Sequence, residues 1–300
     1  MPVAALPLTH LLLALAVVAV WGTNFVVIKQ ALTELPPLAF AALRFTFALL
    51  PAVFFLPRPK VPWRHLAAYG VLIGAGQFGL LYIAMNGEIS PGLASLVVQV
   101  QVFFTIGLAM AATGERVRLF QIAALTLATA GIGVILAHSD RTTTPLGLAL
   151  VILAAMGWAG GNHVAKLSGR VNMLAYVVWA SLFSVPPLVA MSLVLEGWPA
   201  VSAALVKASP AAWAAVAWQS AGNTLFGYAA WGWLLARHPA ATITPMALLV
   251  PVFGMGASAL LLGEAMPIWK IAAASLVMAG LALNILWPIV AARRLPPPAA

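Results

Sequence analysis

Apolar residues follow one another along this chain in runs of about twenty, and short polar or proline-rich stretches separate the runs. A helix of about 20 apolar residues is long enough to cross the roughly 30 Å hydrocarbon core of a bilayer. A strand of an outer-membrane barrel would instead alternate apolar and polar residues over about ten positions. The pattern therefore predicts an all-α integral membrane protein.

The apolar runs predict ten membrane helices, because turn-forming or charged residues such as "TELPP", "GEISP" and "RHPA" bound each of them. Only the connector around 196–210 is long, and no extramembrane domain fits between the helices. The predicted helices cover residues 8–31, 37–57, 65–87, 91–112, 118–137, 146–167, 172–195, 210–235, 240–262 and 268–289.

The composition supports this interpretation, since 63% of the residues are hydrophobic and only 7% are charged. The net charge of +9 would suggest nucleic acid as a partner of a soluble protein. Here the basic residues lie between the predicted helices, so we expect the lipid bilayer and no nucleic acid as the partner. The chain has no cysteine, which excludes disulfides and thiolate metal sites, and we expect no metal and no cofactor. The first apolar run lacks a basic start, so we expect a retained helix rather than a signal peptide.

Lysine and arginine are unequally divided between the two sides of the membrane, and the base-rich side is expected to be cytoplasmic. Both termini then face the cytoplasm. The other side has Arg141, Lys207 and Lys270. The base-rich side has Arg58, Lys60, Arg64, Arg116, Arg118, Lys166, Arg170, Arg237, Arg293 and Arg294.

Two segments of the first half recur in the second half. "WGTNFVVIK" (21–29) and "WAGGNHVAK" (158–166) both begin with Trp, end with Lys and carry Asn between them. The stretches 89–117 and 238–266 both pass from a small or polar turn through an apolar run to a Gly-Glu pair. Apolar helices can also align by chance, but the shared Trp–Lys spacing and Gly-Glu turns favour an internal repeat.

Five helices in each half is an odd number, so the second half crosses the membrane with the opposite orientation. The prediction is one membrane unit of ten transmembrane helices arranged as two inverted five-helix repeats, 1–139 and 140–300. Inverted repeats are the architecture of alternating-access carriers, which bind substrate near the midplane between the repeats.

Several of these segments resemble the EamA family of the drug/metabolite transporter superfamily. They are "WGTNFVVIK", "LRF" (43–45), "GLASLVVQVQVFFTIGLAMAATGERV", "LLVPVFGMGASALLLGE" (248–264) and the closing "AGLALNIL". The resemblance runs from about residue 10 to residue 290. It implies ten helices in two inverted repeats, a bacterial inner-membrane location and metabolite export. It is nearest to bacterial amino-acid exporters of the aromatic and the O-acetylserine/cysteine type, although the motifs specify the family better than the substrate.

Polar and aromatic side chains at membrane depth are costly and often mark a transport pathway. Asn24 and Asn162 occupy matching places in the two halves, where they can either line a cavity or join helices by hydrogen bonds. The candidate substrate-binding residues are Asn24, Arg44, Gln77, Tyr82, Gln99, Gln101, Trp158, Asn162, His163, Trp179, Asn223 and Tyr228.

Arg44 lies about seven residues into its helix, roughly 10 Å deep at 1.5 Å per residue. Its guanidinium can either clamp a substrate carboxylate or pair with a helix C-terminus. Gln99 and Gln101 are two residues apart, so we expect at most one of them to face a cavity squarely. Lys29 is close enough to a helix end to reach the headgroups.

We expect a cavity open to one side and lined by the first four helices of each half. The fifth helix of each half carries small residues and little polarity, so it should pack at the periphery.

These features favour a secondary transporter that exports aromatic and small neutral or sulfur-containing amino acids and related metabolites by alternating access. Broad drug efflux is an alternative, because the interior is aromatic and weakly polar. Zinc-protease, serine-hydrolase and Walker A motifs do not occur in the sequence, so we expect no enzyme. A monomer is the favoured oligomeric state.

Facilitative transport is expected, because all six acids lie in loops or at helix ends and leave no carboxylate at membrane depth. The alternative is proton antiport, for which His163 is the candidate group. The six acids are Glu34, Glu88, Glu115, Asp140, Glu196 and Glu264.

Overall fold

The computed structural model describes residues 6–113, 118–139, 142–238 and 240–294, and within these ranges the chain is helical without strands. Glu115, Arg116, Asp140 and Arg141, which entered the expectations above, lie outside the described residues. The helices are α1 (Leu8–Ala31), α2 (Pro37–Leu49), α3 (Trp63–Met85), α4 (Pro91–Ala112), α5 (Leu119–Ala137), α6 (Pro145–Leu167), α7 (Met173–Leu195), α8 (Trp198–Lys207), α9 (Pro210–Arg237), α10 (Thr244–Leu262) and α11 (Ile268–Arg294).

In the described part of the chain, nine helices are long and apolar enough to span a membrane, and a bent pair makes a tenth if it is counted as one span. The pair is α8 with α9, whose axes meet at 103°. The chain is therefore an integral membrane protein with the predicted helical framework. Helix α8 falls in the connector that the sequence left unassigned, where Gly197 (φ 82°) and a proline at the first turn start it.

The second predicted helix is shorter than expected. Helix α2 ends at Leu49, and a 3₁₀ turn over Ala52–Phe54 follows Pro51. Proline has no N–H to donate to the preceding turn, so the α-helix does not continue through this position.

Helix contacts follow the internal repeat. If α1, α2, α3, α4 and α5 are exchanged for α6, α7, α9, α10 and α11, most of the observed helix contacts map onto one another. Helix α1 packs on α10 as α6 packs on α4, and α1 packs on α9 as α6 packs on α3. Helices α2 and α7 pack on each other, as do α5 and α11. This agrees with an architecture of two related five-helix repeats.

Glycine allows α5 and α11 to approach each other closely. A Cβ on Gly131 of α5 would lie 2.8 Å from the carbonyl oxygen of Ala273, and one on Gly280 of α11 would lie 2.5 Å from that of Ala124. Both glycines come from the Gly/Ala-rich ends of the two halves. The α5–α11 pair therefore packs through small residues, as helices in a membrane often do.

The inner helices are distorted at matching places. Residues Leu72–Gly79 of α3 and Trp218–Phe226 of α9 are π-helical, and Val98–Val100 of α4 and Thr244–Leu248 of α10 form 3₁₀ turns. Such local changes of helical pitch redirect side chains and occur often at functional sites. All four segments lie beside the central cavity.

Candidate functional site

A cavity of about 710 Å³ lies between the two halves. Helices α1, α3, α4, α6, α9 and α10 supply most of its wall, and α7 supplies only Met173. None of its described lining residues carries a formal charge. The volume falls within the range of about 300–1,000 Å³ that is usual for small-molecule sites.

The expected set of cavity helices is correct except at two helices. Helix α2 contributes no lining residue, whereas Leu281 and Ile285 of α11 reach the wall. Helix α2 is instead covered by α3, α7 and α9, which contact it. Helix α11 reaches inward because it also packs on the 3₁₀ turn that begins α10.

The cavity extends toward the base-rich end of the helices. Its lining reaches Met173, the first residue of α7, and Leu235, two residues before the end of α9. Arg170 and Arg237 flank these positions. The base-rich face is therefore the one toward which the cavity extends.

At the opposite face, four carboxylates hold the halves together, each accepting hydrogen bonds at the start of a helix in the other half. Hydrogen bonds from Ser209 lower the pKa of the Glu34 carboxyl. A carboxylate at a helix N-terminus is favoured because it meets the unpaired N–H groups and the positive end of the dipole. The pairs are Glu34 with Ser209, Glu88 with Thr144, Glu196 with the Leu38 and Ala39 N–H groups, and Glu264 with Ser90 and the Gly92 N–H.

Arg44 lies at the centre of a buried polar network. Its Nε donates to Thr224 Oγ1 at 3.1 Å, and its Nη2 donates to Asn223 Oδ1 at 2.8 Å. Its Nη1 donates to both Tyr82 Oη and Gln219 Oε1 at 3.1 Å. The guanidinium thus joins α2 to α3 and α9, which corrects the expectation of a helix C-terminus as its structural partner.

The charge of Arg44 has no acidic partner among the described residues. The Arg44 side chain is 1% exposed. The ion pair observed among the described residues joins Lys270 to Glu264 instead. The guanidinium carbon lies 3.7 Å from the centre of the Phe78 ring. Phe78 and Asn223 line the cavity, so the charge stands directly behind its wall.

Asn24 and Asn162 both line the cavity and also join helices. Asn24 and Gln219 exchange two hydrogen bonds, at 3.2 Å and 2.7 Å. Asn162 Nδ2 donates to Gln101 Oε1 at 3.2 Å. Both interpretations that the sequence left open, lining a cavity and joining helices, therefore apply to each asparagine.

Gln99 and Gln101 both line the cavity, where we expected at most one of them to face it squarely. The 3₁₀ turn over Val98–Val100 is the physical reason. Residues i and i+2 are about 160° apart around an α-helix. In a 3₁₀ helix, which has three residues per turn, they are only about 120° apart.

Gln77, Trp158, Asn223 and Tyr228 also line the cavity, as expected of candidate site residues. Tyr82 does not, because it is buried behind the wall against Arg44.

Trp179 and His163, which are also candidate substrate-binding residues, are not among the described residues that line the cavity. The Trp179 indole donates to the Leu56 carbonyl at 3.0 Å, beyond the end of α2, where that carbonyl is outside a helix. Lys29 Nζ donates to the Met85 carbonyl at 3.3 Å, so a protein carbonyl is its partner.

Sequence reasoning missed Trp21 and Gln219. The Trp21 indole donates to the Asn223 carbonyl at 3.2 Å and lines the cavity, and Gln219 links Arg44 to Asn24. The sequence does contain a repeat close to these residues. "AGQFGLLY" (75–82) and "AGNTLFGY" (221–228) both carry a side-chain amide at the third position and a tyrosine at the eighth.

Comparison with known proteins follows the two halves. The EamA-like transporter family matches residues 8–137 and again 145–286. This chain therefore belongs to the EamA-like transporter family, and it is a membrane transporter rather than an enzyme.

Relatives extend over nearly the whole chain. Probable amino-acid metabolite efflux pumps of Salmonella typhimurium and Escherichia coli K12 are each 39% identical over 279 residues, 91% of this chain and 93% of the relative. A probable terminal-alkyne amino-acid exporter of Streptantibioticus cattleyicolor is 28% identical over 227 residues, 73% of this chain and 69% of its own. A crystal structure with 18% identity and a TM-score of 0.63 covers 95% of this chain and 98% of its own, and it shares the fold.

Proposed function

We propose that this chain exports amino acids and related small metabolites across the bacterial inner membrane by alternating access. The observation that carries the proposal is the buried charge of Arg44, which has four hydrogen bonds to neutral partners and no described carboxylate. The names of the efflux-pump relatives support the same class of substrate.

An uncompensated charge behind an apolar wall attracts an anion more strongly than the same charge in water, because the local dielectric is lower. A substrate carboxylate beside Asn223 would supply the missing negative charge. The positive charge of Arg44 lies behind the wall, and the described residues that line the cavity are neutral. Such a site suits a solute that carries its own carboxylate.

The side-chain end of the substrate would meet aromatic surface. Trp21, Trp158, Tyr228 and Trp231 line the cavity and offer flat apolar contact to aromatic or thioether groups. Neutral drugs would meet the same wall. Whether transport requires a carboxylate on the substrate therefore distinguishes amino-acid export from broad drug efflux.

Alternating access would exchange which face is sealed. We assign the base-rich face, toward which the cavity extends, to the cytoplasm with both termini, by the positive-inside rule. The repeats 1–139 and 140–300 would rock about the cavity, and the carboxylate pairs of the sealed face would separate when that face opens.

Facilitative transport is the simplest coupling for this site. His163 does not line the cavity, and the described lining residues include no carboxylate or histidine. A substrate gradient would then drive export without an ion. Because the cavity lies within one chain, a monomer suffices.

The test uses purified protein in liposomes loaded with a panel of labelled amino acids, with no ion gradient. We expect efflux down the substrate gradient and competition by other amino acids but not by their decarboxylated amines. Export of uncharged drugs with no flux of amino acids would favour drug efflux. Concentrative movement driven by a pH step would show proton coupling.

A further inference from the structure

Two glutamines of the cavity wall have side-chain oxygens with no hydrogen-bond partner. Gln77 and Gln99 are each 5% exposed and line the cavity, and the Oε1 atom of each is buried and unpaired. An unsatisfied buried acceptor is costly, so native proteins pair nearly all of them. These two oxygens are therefore candidates for contacts with a bound molecule.

The orientation of the Gln99 amide is fixed by its surroundings. Its Nε2 donates to the Ala247 carbonyl at 3.3 Å. A carbonyl oxygen can only accept, so the amide cannot turn its oxygen toward Ala247 without losing this bond. The group left free in the wall is thus an acceptor, and it requires an N–H or O–H donor.

Gln77 differs in that its side chain has no hydrogen bond to a described residue. It lies within the π-helical segment of α3, in the turn before Phe78, whose ring stacks on Arg44. A helical distortion that places an unpartnered amide in a cavity wall has no evident structural benefit. A ligand donor would satisfy this amide as well.

We infer that Gln99, assisted by Gln77, forms a subsite for the α-ammonium group of the exported substrate; the inference rests on the proposed function. An ammonium group brings N–H donors and a positive charge. The wall around it is uncharged and rich in aromatic faces, which attract cations.

The charge of Arg44 gives the substrate a direction. It repels an ammonium group from the part of the wall formed by Asn223 and attracts the carboxylate there. Gln99 stands on α4, a different helix from α2 and α9, which hold Arg44 and its amide partners. A zwitterion can therefore be held at two separate points, with its side chain against the aromatic wall.

The subsite distinguishes hydrogen-bond donation from charge. An N,N,N-trimethyl amino acid keeps the positive charge and loses every N–H donor. Wild-type protein in liposomes should transport the free amino acid with an apparent affinity about tenfold or more above that of its trimethyl analogue, because hydrogen bonds to charged groups are among the stronger ones.

Gln99→Met should lower the apparent affinity for the free amino acid by about tenfold while changing that for the trimethyl analogue little. Gln77→Met is a second variant that loses no internal hydrogen bond, so its folding should be preserved, and it should shift the same ratio in the same direction. Gln101→Met is the matched control. Gln101 also lines the cavity, but Thr105 and Asn162 already donate to its oxygen, so both substrates should be affected alike.

Equal transport of the free and trimethylated forms by wild type, or an unchanged ratio in both Gln99→Met and Gln77→Met, would overturn the subsite. A second pair, a primary amine and its quaternary analogue, separates this failure from failure of the proposed function. Preference for the primary amine with no transport of amino acids would keep the subsite and refute amino-acid export. Transport of amino acids with no preference within either pair would support amino-acid export and refute the subsite.

Discussion

Helix α2 packs on α9 in one part of the molecule, and the internal repeat relates this contact to that of α7 with α3. In the first contact, the buried Arg44 donates four hydrogen bonds, three of them to α9. In the second, α7 contains no charged residue, and Gly70 and Gly74 of α3 lie against its backbone and Ser184. One contact is polar and the other is steric.

The comparison separates what the repeat preserves from what it does not. Both contacts bring a π-helical segment beside a neighbouring helix, so the backbone architecture is shared. The charge occurs in one half only. A substrate in the cavity therefore meets an electrostatically one-sided wall, even though the helices around it are related in pairs.

The largest expected effect is that of Arg44→Met. The substitution removes all four hydrogen bonds of the guanidinium and leaves Asn223 Oδ1 without a described donor, whereas Gln219 Oε1 still accepts from Asn24 and Tyr82. Hydrogen bonds to a charged group contribute about 1.5–3 kcal/mol each. We expect a fall of more than about 3 kcal/mol in the free energy of unfolding, together with loss of amino-acid transport, measured by denaturation in detergent and by liposome flux.

Arg44→Lys is the control for charge. Lysine keeps the positive charge but lacks the planar fork, so it should recover part of the transport and little of the stability. Normal flux and stability in Arg44→Met would mean that the two helix contacts do not differ in the way described.

The next effect concerns the steric contact. A Cβ on Gly74 would lie 2.5 Å from the Cβ of Ser184, so Gly74→Leu should force α3 from α7 and destabilise the protein by at least about 1–3 kcal/mol. Gly107→Leu is the matched control, because nothing lies within 4 Å of its Cβ position. The yields and thermal midpoints of the two purified variants measure the difference, and similar values would argue against close α3–α7 packing.

A smaller effect is expected where the polar network reaches α1. Asn24 and Gln219 exchange two hydrogen bonds, so a double-mutant cycle with Asn24→Ala and Gln219→Ala should give a coupling energy of about 0.5–3 kcal/mol. The comparison cycle pairs Asn24→Ala with Gln101→Ala, residues that share no hydrogen bond. Additive losses in the first cycle would remove Asn24 from the network.

The smallest effect should be equal in the two contacts. The Ser220 hydroxyl donates to the Arg44 carbonyl at 3.0 Å, and the Ser184 hydroxyl donates to the Gly70 carbonyl at 2.8 Å. Ser220→Ala and Ser184→Ala should each cost about 1 kcal/mol or less in thermal unfolding, since each removes one neutral hydroxyl donor, which Ser220 shares between the Arg44 and Val216 carbonyls. A much larger loss in Ser220→Ala would mean that this serine belongs to the Arg44 network.

Much of the fold could be predicted from the sequence, because a bilayer restricts the choices. A long apolar run in lipid has to satisfy its backbone groups internally, so it forms a helix whatever its neighbours are. The recurrence of Trp and Lys at the same spacing, with Asn between them, similarly indicated related halves before any contact was known. Helix α8 was missed because its short, largely exposed sequence lacks an apolar run of membrane-spanning length.

The amino-acid sequence by itself determined that this protein spans a membrane as paired sets of helices and that Arg44 and several amides lie at depth. Only the tertiary structure decided their partners. Gln219 is 175 residues from Arg44 along the chain, and no periodicity joins two such positions. The 3₁₀ turn that brings Gln99 and Gln101 to one wall lies within α4 and packs on α6 of the other half, a contact between residues far apart in the chain that the local sequence does not specify.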